Sequence, residues 1–377
     1  MRVLAAHPVP DLYGADLMLL RALRAMRADG AEITVAVPED GPLVSDLRAN
    51  GIDVDTRSFP VLRKALVRPV ALARLAVTAP FVLLKMRRWI RKIDPDVVYV
   101  NTLTLPHWVL AAKLAGRPVV CHVREAEDQL PSIVQRVLSA PLLLCTRIIT
   151  NSHHTAAHLT GPWHRLSRTV EVVHNGFDFQ PAPPSKLPAK DGELLLVGRL
   201  SPRKGQDVAI EALALLHRRG YPATLRLVGT AFRGYDWYVE ALERAAAEHG
   251  LQDHVRFDGY QTDIPACQAR ADVVLVPSLV EPFGNVAVEA LAGTRALVAT
   301  SVGGLVEIVD DGETGLLVPP SDPVALADAV QRHLDDPAAA TAMAEEGGRR
   351  VRDRFSEQRY LDGVADVLAA ACDRAAA

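Results

Sequence analysis

Glu281 and Glu289 belong to one short segment, Glu281-Pro282-Phe283-Gly284-Asn285-Val286-Ala287-Val288-Glu289-Ala290-Leu291, directly after the apolar run Val273–Val276. Proline and glycine make a loop that feeds a helix, and from Val286 to Ala292 the only polar side chain is Glu289. A carboxylate on an otherwise apolar helix needs hydrogen-bond donors once buried, and a ribose diol supplies two at once. Glu281 lies near the amides of Phe283, Gly284 and Asn285, which can face an anion at the helix start. A second cluster, Gly198-Arg199-Leu200-Ser201-Pro202-Arg203-Lys204-Gly205, follows the run Leu194–Val197 and places three cations ahead of a helix beginning at Gln206. A diphosphate held without metal needs such charge: Arg199 can grip two oxygens through its fork, and Lys204 is a compact point charge. Each piece alone has a bland explanation, a turn, an exposed glutamate or a solvated basic loop. Their combination does not.

The elements that position these residues follow from the apolar runs. Val3–Ala6, Ile33–Val37, Val97–Val100, Val119–Val123 and Ile148–Thr150 alternate with amphipathic stretches, and the alternation restarts with Leu194–Val197, Leu225–Val228, Val255–Phe257, Val273–Val276, Leu297–Ala299 and Leu316–Val318. Strands alternating with helices imply parallel βαβ units. The chain has 377 residues, beyond the roughly 250–300 at which one core stops growing. The expectation is therefore α/β, with two Rossmann-like, doubly wound lobes facing across a cleft where a ligand sits at the strands' carboxyl ends. The boundaries read as residues 1–177, a proline-rich connection at 178–192, a second lobe at 193–354 and a terminal helix at 355–377 that returns to the first lobe.

The 42 basic and 45 acidic side chains leave a net charge of −3, which argues against a general nucleic-acid binder. Cys121, Cys145, Cys267 and Cys372 form no C-x-x-C pair, so neither a zinc cage nor a disulfide framework is expected and a reducing compartment fits. The start, MRVLAAHPVP, reads as a first strand rather than a signal peptide. The apolar window from Ala65 to Leu84 is broken by Arg68, Pro69, Arg74 and Pro80, so no transmembrane span is expected. The expected location is cytoplasmic.

The whole chain resembles the retaining glycosyltransferase family 4, which has the two-lobed GT-B fold. The family pattern E-P-F-G-x-x-x-x-E matches Glu281 through Glu289, G-R-L-x-x-x-K-G matches Gly198 through Gly205, and an N-G pair matches Asn175-Gly176. The resemblance implies Arg199 and Lys204 at a donor diphosphate, Glu289 at the ribose, and Glu281 with the backbone of Phe283, Gly284 and Asn285 at the transferred sugar. It places His122 near the reacting sugar and Gly14, at a helix start, close to the ligand. The family usually has two adjacent glycines there, whereas this chain has Gly14-Ala15. The implied reaction is retaining transfer of a hexosyl group from a UDP-linked sugar to an acceptor hydroxyl in glycan, glycolipid or natural-product synthesis. The nucleoside diphosphate sugar is then a co-substrate, with no cofactor and no metal. Two other readings are an epimerase of the same architecture and a noncatalytic sugar-nucleotide binder.

Four features stay open in the sequence. His122 could instead be a satisfied histidine closing a strand, and Glu125, in the same segment CHVREAEDQ, stands where an acceptor and donor could meet but has no assigned role. The pairs Asp53/Asp55 and Asp94/Asp96 look like metal-binding carboxylates but flank a short strand or turn, so no metal role is expected. Between Thr56 and Ile93 stand ten cations and no acidic residue. That stretch would meet an anionic membrane at its inner face or an anionic acceptor, or else form a solvated helix face over apolar surface.

Overall fold

The computed structural model describes residues 1–10, 14–62, 69–126, 131–181, 185–231 and 234–376. The chain forms two compact units, one made of Met1–Gly176 together with the chain from Glu357 onward, the other of Phe177–Ser356. In the first, β1 (Arg2–Ala6), α1 (Gly14–Ala28), β2 (Glu32–Val37), α2 (Pro42–Ala49), β3 (Asp53–Thr56), α3 (Pro69–Ile93), β4 (Val97–Val100), α4 (Pro106–Ala115), β5 (Val119–Val123), α5 (Ser132–Ser139), β6 (Arg147–Thr150), α6 (His153–Thr160) and β7 (Val170–Val172) follow in order. The seven strands pair in parallel in the order β3-β2-β1-β4-β5-β6-β7.

The second unit runs β8 (Glu193–Val197), α7 (Gln206–Arg218), β9 (Thr224–Val228), α8 (Asp236–Glu248), β10 (Val255–Gly259), α9 (Ile264–Arg270), β11 (Val273–Val276), α10 (Asn285–Ala292), β12 (Ala296–Thr300), α11 (Leu305–Ile308), β13 (Leu316–Val318), α12 (Pro323–Asp335) and α13 (Pro337–Arg354). Its six parallel strands lie in the order β10-β9-β8-β11-β12-β13. This is the doubly wound α/β architecture that the alternation of apolar runs predicts. The last helix, α14 (Glu357–Ala376), belongs to the first unit.

Both sheets are apolar on both faces, as buried parallel strands must be. Val3 and Ala5 join Leu19, Leu23, Leu43 and Leu47 on one side, while Leu4 and Ala6 join Ile90 and Trp108 on the other. The same period of two divides Leu194 and Leu196 from Leu195 in β8. Helix α14 covers the first of these faces with Tyr360, Val364, Val367, Leu368 and Ala371, a helical spacing of buried positions.

Each strand order has one switch point, between β1 and β4 in the first sheet and between β8 and β11 in the second. Open α/β sheets bind ligands outside the strand carboxyl ends at such points. The segment expected as a connection contains no helix or strand among its described residues. It is nonetheless tied to the second unit: Lys186 Nζ donates to Asp272 at 2.8 Å, and Phe179 stacks at 5.9 Å on Phe177. Phe177, the expected end of the first lobe, belongs instead to the second unit, and its N donates to Phe355 O at 2.9 Å.

Candidate functional site

At the switch point of the second unit, the loop after β8 meets the loop after β11. Lys204 Nζ donates to Glu281 Oε2 at 2.6 Å, and Ser278 Oγ donates to the same oxygen at 3.1 Å. The lysine side chain is 29% exposed and the glutamate 12%, so the pair is shielded yet open to a ligand. Gln206 Nε2 donates to the carbonyl of Arg199 at 3.0 Å, and Leu279 N to the carbonyl of Arg203 at 2.8 Å, which stitch the cationic loop to its neighbours. Thr300 Oγ1 donates to Ser278 O at 2.6 Å and fixes the loop that carries Glu281. Arg199 and Glu289 are half-buried, and Asn285 is the first residue of α10. The Phe283 side chain packs edge-on against Phe355 at 5.5 Å and is buried, so only its backbone remains for a ligand.

Glycines set this geometry because loops approach backbone to backbone. A Cβ on Gly303, at φ 55°, would stand 1.9 Å from the carbonyl oxygen of Glu281, and one on Gly205, at φ 68°, would stand 2.1 Å from that of Pro277. No side chain fits at either place, and both backbones lie in the left-handed region that glycine tolerates. Gly304 N donates to Glu281 O at 2.8 Å, so the loop after β12 clamps the glutamate from the other side.

The first unit builds its switch point from side chains. Arg124, just beyond β5, is buried and donates through Nε to Asn101 Oδ1 at 3.2 Å, through Nη1 to Asn175 Oδ1 at 2.7 Å, and through Nη2 to Tyr360 Oη at 3.0 Å. Asn101 Nδ2 donates to His7 Nδ1 at 3.1 Å, leaving His7 Nε2 to donate to Asp16 at 2.7 Å. His122 lies inside β5 with its ring fully buried. Tyr99 Oη sits 2.7 Å from His122 Nδ1, and Arg124 Nη2 approaches the same nitrogen at 3.3 Å. A guanidinium can only donate, so Nδ1 accepts and the proton of the neutral ring is on Nε2. Burial first, then the adjacent Arg124 charge, holds the His122 pKa well below the usual histidine range. Nε2 is buried without a hydrogen-bond partner among the described residues. The histidine is thus half satisfied, with one donor unspent.

Other expected residues resolve differently. Gly14 opens α1 and is exposed, while residues 11–13 before it lie outside the described residues. The Glu125 carboxylate accepts from Thr102 Oγ1, Arg124 N and Leu103 N, which explains it as the anchor of its own loop. Asp53 and Asp55 do not flank a strand but lie within β3; Asp55 is paired with Arg57 at 2.7 Å. Asp94 is paired with Arg2 and Arg117, and Asp96 accepts from Arg2 N at 2.7 Å. Sequence reasoning missed Ser278, Asn101, Tyr99 and Tyr360. The first two had a signal, since each stands directly beyond or near the end of an apolar strand run.

Residues 180–350 match the family model described as Glycosyl transferases group 1, and residues 13–180 match that described as Glycosyltransferase Family 4. A glycogen synthase of Mycobacterium tuberculosis is 33% identical over 295 residues, covering 74% of this chain and 70% of the relative. A 2-deoxystreptamine glucosyltransferase of Streptomyces kanamyceticus is 30% identical over 376 residues, 90% of this chain and 94% of its own. The crystal structure of Anabaena HepE in complex with UDP-glucose superposes with a TM-score of 0.82 at 26% identity, covering 98% of this chain and 99% of that one.

Proposed function

The chain belongs to glycosyltransferase family 4 and is a glycosyltransferase of the GT-B fold, and on that premise we propose that it moves a hexosyl group from a UDP-linked sugar to an acceptor hydroxyl with net retention at the anomeric carbon. The observation that carries this reading is the Lys204–Glu281 pair at the switch point of the second unit. An incoming diphosphate competes with Glu281 for the lysine, and the attraction grows as the sugar–oxygen bond breaks and charge builds on the leaving oxygens. Arg199 adds a two-pronged grip, Glu289 accepts from the ribose hydroxyls, and the amides at the start of α10 face the donor beside Glu281. Gly14 admits backbone close to the ligand, and the Nε2–H of His122 is the donor offered to a hydroxyl of the transferred sugar. As the new glycosidic bond forms, the acceptor proton passes to the departing diphosphate.

The reaction is proposed to need no divalent metal: of the four carboxylates that resemble a metal site, Asp55, Asp94 and Asp96 are engaged by arginines or backbone. The named ligands of the relatives, UDP-glucose for HepE among them, support the donor class. A panel of nucleotide sugars read by thermal unfolding tests the proposal: a ligand at 100 times its dissociation constant stabilises by about 2.7 kcal/mol. UDP-sugars should shift the transition and should be hydrolysed slowly in excess EDTA. Stabilisation by no nucleotide sugar would sink the donor assignment, binding without any turnover would leave a sugar-nucleotide binder, and EDTA inhibition reversed by magnesium or manganese would overturn the metal-free mechanism.

A further inference from the structure

The two helical layers of the first unit differ in charge. Helices α1, α2 and α14 each contain acidic residues, among them Asp16, Asp46 and Glu357. On the opposite side of the sheet α3 packs along α4, and residues 140–144, which follow α5, pack on α4 in turn. None of α3, α4, α5 or residues 140–144 contains an aspartate or glutamate. Where α3 turns Met86, Trp89 and Ile90 inward, its exposed positions are Phe81, Leu84, Lys85, Arg88, Arg91 and Lys92, a single face at helical spacing.

Apolar side chains crowd the same layer. Phe81 is 76% exposed, and Ile133 and Val137, one turn apart on α5, are each 66% exposed. Of the nine large hydrophobic residues exposed in this unit among the described residues, seven lie on the α3–α4–α5 side and only Met1 and Leu17 lie elsewhere. Scattered exposed apolar residues are ordinary, but a layer that gathers them among cations and excludes acids is not. A second copy of this chain would bring the same positive layer and be repelled. A dissolved polyanion would engage the cations while leaving Phe81 and Ile133 in water. A bilayer of anionic phospholipid answers both halves, with phosphates for the cations and an acyl boundary for the apolar tips.

We propose that the α3–α4–α5 layer of the first unit docks on an anionic phospholipid bilayer. This goes beyond the transfer reaction and does not depend on it, since docking is measured without any donor. The full chain is floated with vesicles of phosphatidylcholine alone and of phosphatidylcholine mixed with phosphatidylglycerol, at low and high salt. It should float with the anionic vesicles only, and less so at high salt. Each cation removed should lower the partition coefficient about fivefold, so Arg88→Ala with Arg91→Ala should lower it about 25-fold. Phe81→Ser should lower it about tenfold. Arg256→Ala, an exposed position of β10 in the other unit, should change nothing. Unaltered thermal unfolding shows that the variants fold. Wild-type chain left in the soluble fraction at low salt overturns the proposal, as does equal loss from Arg256→Ala. Concentration-dependent self-association, abolished by Phe81→Ser in the absence of vesicles, would assign the layer to a second copy instead.

Discussion

The two units share one topology and arm its switch point in opposite ways. In the second, the work falls to backbone: glycines let four loops touch, and the charged atoms placed there, Lys204 and Glu281, stay within reach of solvent. In the first, side chains fill the same position with a buried lattice centred on Arg124, reaching Asn101, Asn175, Tyr360, His122 and, through Asn101, His7 and Asp16. A backbone-built site leaves its charges free to meet a ligand at little cost to the fold. A lattice of buried polar groups makes the fold depend on every member.

Substitutions should separate the two. If Lys204 meets the leaving group as proposed, Lys204→Ala should lower turnover in UDP-sugar hydrolysis about 100- to 1,000-fold while stability changes by less than about 1 kcal/mol. Arg199→Lys should not restore full activity to that loop, because a point charge cannot reproduce a fork. Arg124→Met strands at least four buried partners and should destabilise the first unit by about 3 kcal/mol, read as a lower urea midpoint. A stable Arg124→Met variant, or a Lys204→Ala variant that unfolds, would erase the contrast.

Glu289→Ala should weaken UDP-sugar binding by about tenfold or more in calorimetry, the loss of hydrogen bonds to a charged acceptor, without affecting folding. Unchanged affinity would remove the ribose role. Acid gives the smallest and most graded test. Burial lowers the pKa of His122 and His107 in the first unit and of His333 in the second. Each stays neutral while folded and takes a proton on unfolding, so its contribution is complete above about pH 6.5 and declines as pH falls below it. The limiting slope is about 1.4 kcal/mol per pH unit for each histidine. With two such groups against one, the first unit should lose hydrogen-exchange protection faster than the second between neutral pH and pH 5.5, and equal losses would contradict the histidine assignment.

The same contrast explains what the sequence disclosed. Glycines forced by close loop contact recur beside the residues they position, so Gly198 through Gly205 and Glu281 through Glu289 announce the second unit's site in two short strings. The partners of Arg124 stand 23, 51 and 236 positions away, and no local pattern joins Asn101, Asn175 and Tyr360. His122 was legible as a strand-end histidine, but which nitrogen is engaged depends on Tyr99 and Arg124 in three dimensions. Strands β3 and β7 escaped notice because Asp-Val-Asp-Thr and Val-Glu-Val carry polar residues, as sheet edges do. The alternation of buried runs elsewhere carried the fold without ambiguity.

Helix α14 sets an order on the chain's own synthesis. Its Tyr360 donates to the carbonyl of Met18, 342 residues earlier, and its apolar face completes the core over α1. A ribosome therefore releases residues 1–176 with the part of their sheet's face that α14 covers still bare, and that part waits until the whole of 177–356 has been made. The second unit, continuous in sequence, can close first, although it is translated later. Apolar surface that waits for a distant partner is what chaperones bind and aggregation exploits. Vectorial folding is thus inverted here: residues 357–376 finish what residues 1–176 began, after the unit between them has been made.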